Sequence, residues 1–505
     1  MNQDKLEIFN SNIIKWYPFK KDKKIIQIGL NNYITNALKE KLQKVKVVAN
    51  IEELNFNAKY DYILIYGYEN YANIIEEITS LLEENGKILI IGNNELGINN
   101  WSKYNIEDNK EGILRLENHY KKIKTISYVK DELKRNNLTE INTFIAFPDY
   151  KTSELIINEK FKTEKNHIEK YNPNILEDKI KVLDEIKVLK TIISNAPEMI
   201  NFFANSYFIE VSKQENDNDI KYISFNNCRK EQYQLMTIIK DDVVEKIPAN
   251  IKANKHIKNM INNIKDINNE DIEILDYEKD GKIYSKLIKN EKSLDRVLAN
   301  YSDDIEKIVP ILNKLKDILL KNSAKYEECK NKLNFEENEE ILKDLNFMEK
   351  GYWDMIPKNC FYINGEFIFF DQEWERDYLP VEFIIYRSII NSYDLVRNIN
   401  VDDLLEKLNI LQYKEFFEEI DKKLREEIVD KEIYEAMHKK ENLKAVDNLI
   451  NENKSYLKEL EHKDEYIKKL EKYLENLKED NSKKQKYIES LEENAKKNKK
   501  RKFKK

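Results

Sequence analysis

Glycine is scarce in this chain: nine residues in 505, where roughly 7% is usual. Gly-rich phosphate cradles are therefore excluded. Neither G-x-G-x-x-G nor G-x-x-x-x-G-K-[ST] occurs, so a nucleotide would have to be held by side chains and by a loop without the usual permissive backbone. Cysteine is scarcer still. Cys228, Cys329 and Cys360 are odd in number and widely scattered, which leaves no disulfide framework or zinc spacing and fits a reduced compartment. No apolar run approaches the roughly 20 residues needed to span a bilayer, and Met1 to Lys5 carry no signal-peptide pattern. A cytoplasmic location is the expectation. Nor does one sign of charge dominate: 86 basic against 93 acidic residues leave a net charge of -7, which makes no case for nucleic-acid binding.

Hydrophobic residues make up 41% and charged ones 35%, enough for two or three domains with cores of their own. In the N-terminal third, short apolar runs at 24–29, 45–48, 60–66 and 87–91 alternate with helical patterns at Asn36 to Lys44 and Tyr71 to Glu84, the latter closed by Asn85-Gly86. That alternation predicts an α/β domain with a mostly parallel sheet. An amphipathic helical connection follows over Tyr171 to Asn195, then an aromatic-rich strand at 201–211 and a polar turn at Asn216 to Asp219 that marks a domain boundary.

Three short strand patterns come next, at Lys221 to Phe225, Tyr233 to Ile239 and Val243 to Ile247. Lys246 follows Val243-Val244-Glu245 much as the phosphate-binding lysine follows the apolar residues of its strand in kinases; a merely solvated lysine is the competing reading. The following helix, 249–266, contains no glutamate to pair with it. His256 on that helix reads as a packing or hydrogen-bonding residue. The richest stretch is 351–374. It reads as a loop, a strand at Phe361 to Ile363, a turn at Asn364-Gly365 and a strand at Phe367 to Phe370. Asp354 and Asn359 stand in a D-x-x-x-x-N spacing and Asp371 ends the second strand. This is a phosphoryl-transfer layout, with Asp354 as base, Asn359 and Asp371 on Mg2+, and Lys246 on the phosphates of ATP. Turn formers at Asp354 and Asn359 are the structural alternative.

Ile14 to Asp22, Ile26 to Gly29, Asp61 to Gly67 with Glu69 and Tyr71, Gly86 to Ile90, Phe147 to Lys151 and Phe203 to Ser206 together resemble a class I SAM-dependent methyltransferase domain. More narrowly they resemble the bacterial surface-polysaccharide subgroup that joins such a domain to a kinase domain and often to a coiled coil. The resemblance covers roughly residues 10 to 395 and implies a Rossmann-like N-terminal domain over 1–215, with Gly29 in the cofactor loop. It further implies a two-lobed α+β kinase-like domain over 216–435, with Leu275 to Gly281 as its interlobe hinge, and a glycan or glycolipid acceptor. Departures from the pattern bear on the cofactor. Gln27 takes the place of the acid in the first strand, Leu30-Asn31-Asn32 that of the glycine loop, and Val47 to Asn50 offer no acid at the end of the second strand. The expectation is that SAM is not bound and that ATP and Mg2+ are the cofactors; a rebuilt pocket using Glu52 or Glu53 stays open.

Residues 436–505 read as an α-helical coiled coil ending in a basic tail. From Leu443 the apolar or tolerated positions step by 3 and 4, with one slip of phase near Ile467. A homo-oligomer is the expectation, an isolated charged helix the alternative. The last residues, Ala495 to Lys505, are strongly basic and suit peripheral contact with anionic lipid at the inner membrane face, or a disordered solubilising role. The whole reads as an ATP-dependent phosphotransferase of surface-glycan biosynthesis with an inert methyltransferase-like domain. Two alternatives stand beside it: a non-catalytic scaffold of a polysaccharide assembly complex, and an active SAM-dependent methyltransferase.

Overall fold

The computed structural model describes residues 6–71, 74–105, 110–111, 124–168, 180–181, 184–214, 218–267, 272–288, 293–333, 339–392, 395, 398–437 and 441–502. It divides into two compact units, Met1–Asp178 with Leu183–Lys439, and Lys179–Val182 with Lys440–Lys505.

The first unit begins as an α/β layer structure. Strand β1 (Lys24–Ile28) leads to helix α1 (Asn32–Lys41), β2 (Lys44–Val48), β3 (Tyr60–Tyr66), the short helix α2 (Ile74–Ile78) and β4 (Leu82–Asn93). After these come α3 (Ile126–Arg135), β5 (Glu140–Phe147), β6 (Leu155–Asn158), α4 (Glu185–Asn195) and β7 (Ser206–Ser212). Residues 171–179, part of the expected connecting helix, lie outside the described residues, as do 216 and 217 of the expected boundary turn.

Helix α1 starts four residues earlier than its apolar pattern suggests, because the Asn31 side chain accepts from the Ile34 amide and caps it there. The helix expected over Tyr71 to Glu84 is cut short. Leu82 already pairs with Tyr60, so Asn85 and Gly86 lie inside β4 instead of ending a helix; the local stop signal yields to sheet pairing.

The strands continue as β8 (Tyr222–Phe225), β9 (Leu235–Ile239) and β10 (Val243–Pro248), helix α5 (Asn254–Ile267), and then β11 (Glu273–Ile274), β12 (Asp276–Lys279) and β13 (Lys282–Lys286). One 12-stranded sheet runs through both halves in the order β12-β13-β10-β9-β8-β6-β5-β7-β4-β3-β1-β2. At one end β2, β1, β3 and β4 are mutually parallel. Strand β7 is antiparallel to both β4 and β5, and every pairing from β5 to β12 is antiparallel. The segment expected as a hinge is the first strand of a hairpin, closed by Asp280 and Gly281 at φ 52° and 71°, the left-handed pair that a tight two-residue turn requires.

Alternation along the parallel strands sends successive side chains to opposite faces. Ile26, Ile28, Ile63, Ile65, Ile88 and Ile90 enter one apolar layer. Ile25, Leu64, Leu89 and Ile91 enter the other, where the Trp16 ring lies 4.6 Å from Phe144 and 5.0 Å from Phe208. A sheet covered on both faces exposes only its strand ends, which is where a ligand can enter.

The rest of this unit is mostly helical around a third core. It contains α6 (Ile305–Leu320), β14 (Ser323–Lys325), β15 (Asn346–Tyr352), β16 (Cys360–Ile363), β17 (Glu366–Phe369), β18 (Glu375–Pro380), α7 (Val381–Ile390) and α8 (Lys414–Ile428). β16 and β17 form the expected hairpin, with Asn364 and Gly365 at φ 54° and 86°. The second unit is dominated by the 62-residue helix α9 (Glu441–Lys502). No helix among the described residues is long and apolar enough to cross a membrane.

Candidate functional site

The strand order reverses between β1 and β3, so the connections leaving them run in opposite directions, and in doubly wound sheets the carboxyl ends at such a point are where a ligand is received. β1 runs into Gly29 at φ 95°. A Cβ there would sit 2.5 Å from the Tyr66 carbonyl oxygen and 3.0 Å from the Tyr71 hydroxyl, so only glycine fits. Gly67, at φ 75°, ends β3 in the same way.

Gln27 is fully buried and its amide closes the Gly29 loop. Nε2 donates to the Gly29 carbonyl at 2.8 Å, and Oε1 accepts from the Thr35 hydroxyl at 2.9 Å. A neutral amide satisfies both partners, where a carboxylate would have no donor for Gly29. At the tip of β2, the Ala49 amide donates to Glu53 Oε2 at 3.2 Å, and the Ala49 carbonyl accepts from the Tyr71 hydroxyl at 3.3 Å. An acid therefore does stand at the end of the second strand. It is supplied from a turn four residues on, which is why a reading of the strand alone finds none.

The rim beside this tip is polar. Asn31 donates to the Tyr66 hydroxyl at 3.1 Å, which donates to Asn10 Oδ1 at 2.9 Å. Glu69 accepts from the Tyr150 hydroxyl at 3.0 Å, and from the Asn93 backbone and side-chain amides at 3.1 Å each. Burial, then the Glu69 carboxylate, pushes the Tyr150 phenol far up, and burial does the same to Tyr66. Both stay protonated as donors. Lys124 donates to the carbonyls of Tyr68 at 3.1 Å and Glu69 at 3.4 Å, and to that of Tyr71, pinning the loop that carries Glu69. Asn10, Asn93, Tyr150 and Lys124 come from four separate segments, and no local pattern links them.

Lys246, Asp371, Asn359 and Asp354 lie in the other half of the sheet and its helical partner. Lys246, on β10, forms ion pairs with the Asp371 carboxylate and with Glu373 Oε1, the latter at 3.1 Å. Glu373 is also paired with Arg229 and approached by His256 Nε2 at 3.3 Å. Burial opposes its ionisation, but Arg229, Lys246 and His256 together hold it well below the usual carboxylate range. His256 stacks on Trp374 at 4.4 Å, and the Arg229 guanidinium covers the same ring at 5.3 Å. Glu373 is thus the buried acid that pairs with Lys246. It lies outside the helix where sequence reasoning sought that partner, two residues beyond Asp371.

Asp371 sits at φ 61°, and its amide donates to Asp276 Oδ2 at 2.6 Å. Burial pushes the Asp276 carboxyl up to about 6, against the pull of Ser285 and Lys246. The Asn359 side-chain amide donates to the Asp354 carbonyl at 3.1 Å. Asp354 itself is raised by burial and by Glu373, and its Oδ1 lies 3.9 Å from Arg387 Nη2. Lys246 and Asp371 are thus in direct contact, Asn359 is tied to the loop carrying Asp354, and Gly29 belongs to a different edge of the sheet.

No family model matches the sequence, and no curated protein sequence does. Solved structures are matched at low similarity. One is the phosphoethanolamine N-methyltransferase 2 of Haemonchus contortus in complex with S-adenosyl-L-methionine, at 16% identity over 41% of this chain and 52% of that one, TM-score 0.24. Another is the plantazolicin methyltransferase BpumL in complex with SAH, at 16% identity over 42% and 85%, TM-score 0.23. A third is the cyclopropane synthase MmaA2 of Mycobacterium tuberculosis, at 8% identity over 40% and 82%, TM-score 0.21. The chain spans about half the length of the Haemonchus enzyme.

The cofactor expectation is corrected accordingly. Where the sequence suggests ATP and Mg2+ with SAM excluded, two of these three structures hold S-adenosylmethionine or SAH. Within this chain Asp371 is neutralised by Lys246. Among the described residues no group of three or more His, Cys, Asp or Glu side chains is placed to hold a metal ion.

Proposed function

We propose that the parallel half of the sheet binds S-adenosylmethionine at the carboxyl ends of β1 and β3 and that the protein is a methyltransferase. One observation carries this reading: at the point where strand order reverses, Gly29 admits no side chain while Glu53 stands at the tip of β2. In doubly wound sheets an acid there accepts from ribose hydroxyls, and a glycine lets the ligand approach the backbone. The residues present suit such a group. Gly29 lets the loop after β1 pack closely against the Tyr66 carbonyl at the end of β3, Glu53 would supply the ribose acceptor, and Gln27 holds the loop without adding charge.

When bound, S-adenosylmethionine supplies an electrophilic methyl group on a sulfonium. The chain's own part is to orient an acceptor beside it, and the rim of Glu69, Tyr150, Asn93 and Asn31 offers acceptors and donors for that purpose. Tyr71, whose hydroxyl donates to the Ala49 carbonyl, borders Gly29. Calorimetric titration of the full chain with S-adenosylmethionine and with its demethylated product tests the reading. Micromolar binding of both is expected, lost in Gly29→Val. Absence of heat with either ligand at millimolar concentration defeats it.

A second reading is favoured by the Lys246 cluster. With Asp371 and Glu373 both engaged by Lys246, and Glu373 also by Arg229, the antiparallel half serves as a non-catalytic support, and the protein acts as a scaffold. It is separated from the first reading by the same titration and by the absence of methyl transfer to any acceptor.

A further inference from the structure

Helix α9 carries its large apolar side chains in the open. Ile467, Leu470, Leu474, Leu477, Ile488 and Leu491 are each between 43% and 55% exposed. They recur at steps of 3 and 4, Ile467, Leu470, Leu474, Leu477, Asn481, Lys484, Ile488, Leu491, so all fall on one stripe. No single helix can bury its own stripe, and this segment is about 37 Å long at 1.5 Å per residue.

We propose that residues 467–491 pair with the same segment of a second copy of this chain as a parallel, in-register, two-stranded coiled coil. The identity of the side chains selects that occupant. Taking Ile467 as the first core position, the two alternating layers are Ile467, Leu474, Asn481, Ile488 and Leu470, Leu477, Lys484, Leu491. Isoleucine at two of the four positions of the first layer, asparagine at a third, and leucine at three of the four positions of the second favour two parallel strands over three or four. Asn481 fixes the register, since only in a parallel pair does its amide meet the amide of Asn481 in the second copy. Antiparallel pairing of the same span would set it against Leu477 and leave a polar group unbonded in an apolar layer. Lys484 reaches out of its layer on a long stem to keep its ammonium in water.

The flanking positions agree. In the parallel arrangement Tyr466, Tyr473, Asp480 and Tyr487 each face the residue five further along the second copy, namely Glu471, Lys478, Gln485 and Glu492. No like charges meet at these flanking positions; the one like pair in the core is Lys484 with its copy, whose long stems carry the ammonium groups out to water. An antiparallel pair would bring Glu471 alongside Glu492 or Gln485 instead, with no compensating attraction.

Sedimentation equilibrium of the full chain tests the stoichiometry. A mass twice the 60.6 kDa of one chain is expected, falling to one chain in Leu474→Lys with Leu477→Lys, while the thermal transition of the first unit stays in place. A one-chain or three-chain mass for the unaltered protein overturns the proposal. Orientation is tested with Leu491→Cys in a Cys228→Ser background. Oxidation is expected to link most of the protein into a two-chain band. Overturning that requires no band here, together with efficient linking between Ile467→Cys and Leu491→Cys chains when the two are mixed.

Discussion

The two halves of the 12-stranded sheet use their polar side chains in opposite ways. In the parallel half every strand points the same way, so the tips of β1, β2, β3 and β4 gather at one edge and bring Gly29, Ala49, Gly67 and Asn93 together. Its polar groups are mostly neutral amides and phenols, arranged as a rim. In the antiparallel half strand tips alternate, and no edge collects them. Its charges meet instead between β10 and the segment after β17, where Lys246, Asp371, Glu373 and Arg229 neutralise one another. Direction of strands thus separates an edge suited to receiving a ligand from an interior that is already satisfied.

The largest expected effect comes from breaking the satisfied half. Glu373→Ala would leave Arg229 and Lys246 short of a buried countercharge and should cost about 3–5 kcal/mol, as truncating one partner of a buried pair does. Urea melts of the variant read this directly, and an unchanged midpoint would show that the network holds nothing together.

Slightly smaller is the pH response of Asp276. An unfolded aspartate releases its proton near pH 4, the folded one near 6. Between those values the folded state alone holds the proton, so stability declines as pH rises from about 4 to 6 and then levels, by on the order of 3 kcal/mol. Asp276→Asn should flatten that slope while keeping an acceptor for the Asp371 amide. Parallel slopes for the two proteins would remove Asp276 as the cause.

The parallel half is tested by restoring what the family resemblance leads one to expect. Gln27→Glu removes the donor to the Gly29 carbonyl and sets a buried carboxylate beside it, at a cost of about 1–3 kcal/mol. If this variant instead bound S-adenosylmethionine more tightly at unchanged stability, the loop-closing role of Gln27 would be wrong. The smallest effect is expected for Glu53→Gln. Losing one charge-assisted hydrogen bond to a ribose should weaken binding roughly tenfold, about 1.4 kcal/mol, with the melting transition unmoved. Equal affinity in the variant would place the ribose elsewhere.

Much of the architecture was readable in advance where a local rule had no rival. Strand β3 spans the expected residues, Tyr60–Tyr66, because its apolar run is continuous. The hairpin at Asn364-Gly365 forms as the turn chemistry requires. Where two rules competed, tertiary pairing won: Asn85-Gly86 is a sound helix stop by composition, yet it lies within β4 because that strand begins by pairing with Tyr60. The candidate site was less legible still. Gly29 could be named from its place after β1 and Glu53 only as one of two open candidates with Glu52, because it is offset from the strand it serves, while Glu69 gains its surroundings from residues as distant as Tyr150. In the other half Lys246 and Asp371 could be named, while Glu373 and Arg229 could not, since an ion pair across 144 positions leaves no trace in spacing.

Periodicity and punctuation were enough to set the alternation of strands and helices and the long heptad helix, since these depend on backbone propensity and on which neighbours a side chain meets within a few residues. The joining of two expected domains through one sheet, the closing of Lys246 onto Asp371, and the arrival of Glu53 at the tip of β2 were decided by packing. The first two bring together groups far apart in the chain, and contacts of that range are chosen by the free energy of the whole fold and carry no local signature; the third is local in sequence, but the turn that sets it lies outside the strand pattern.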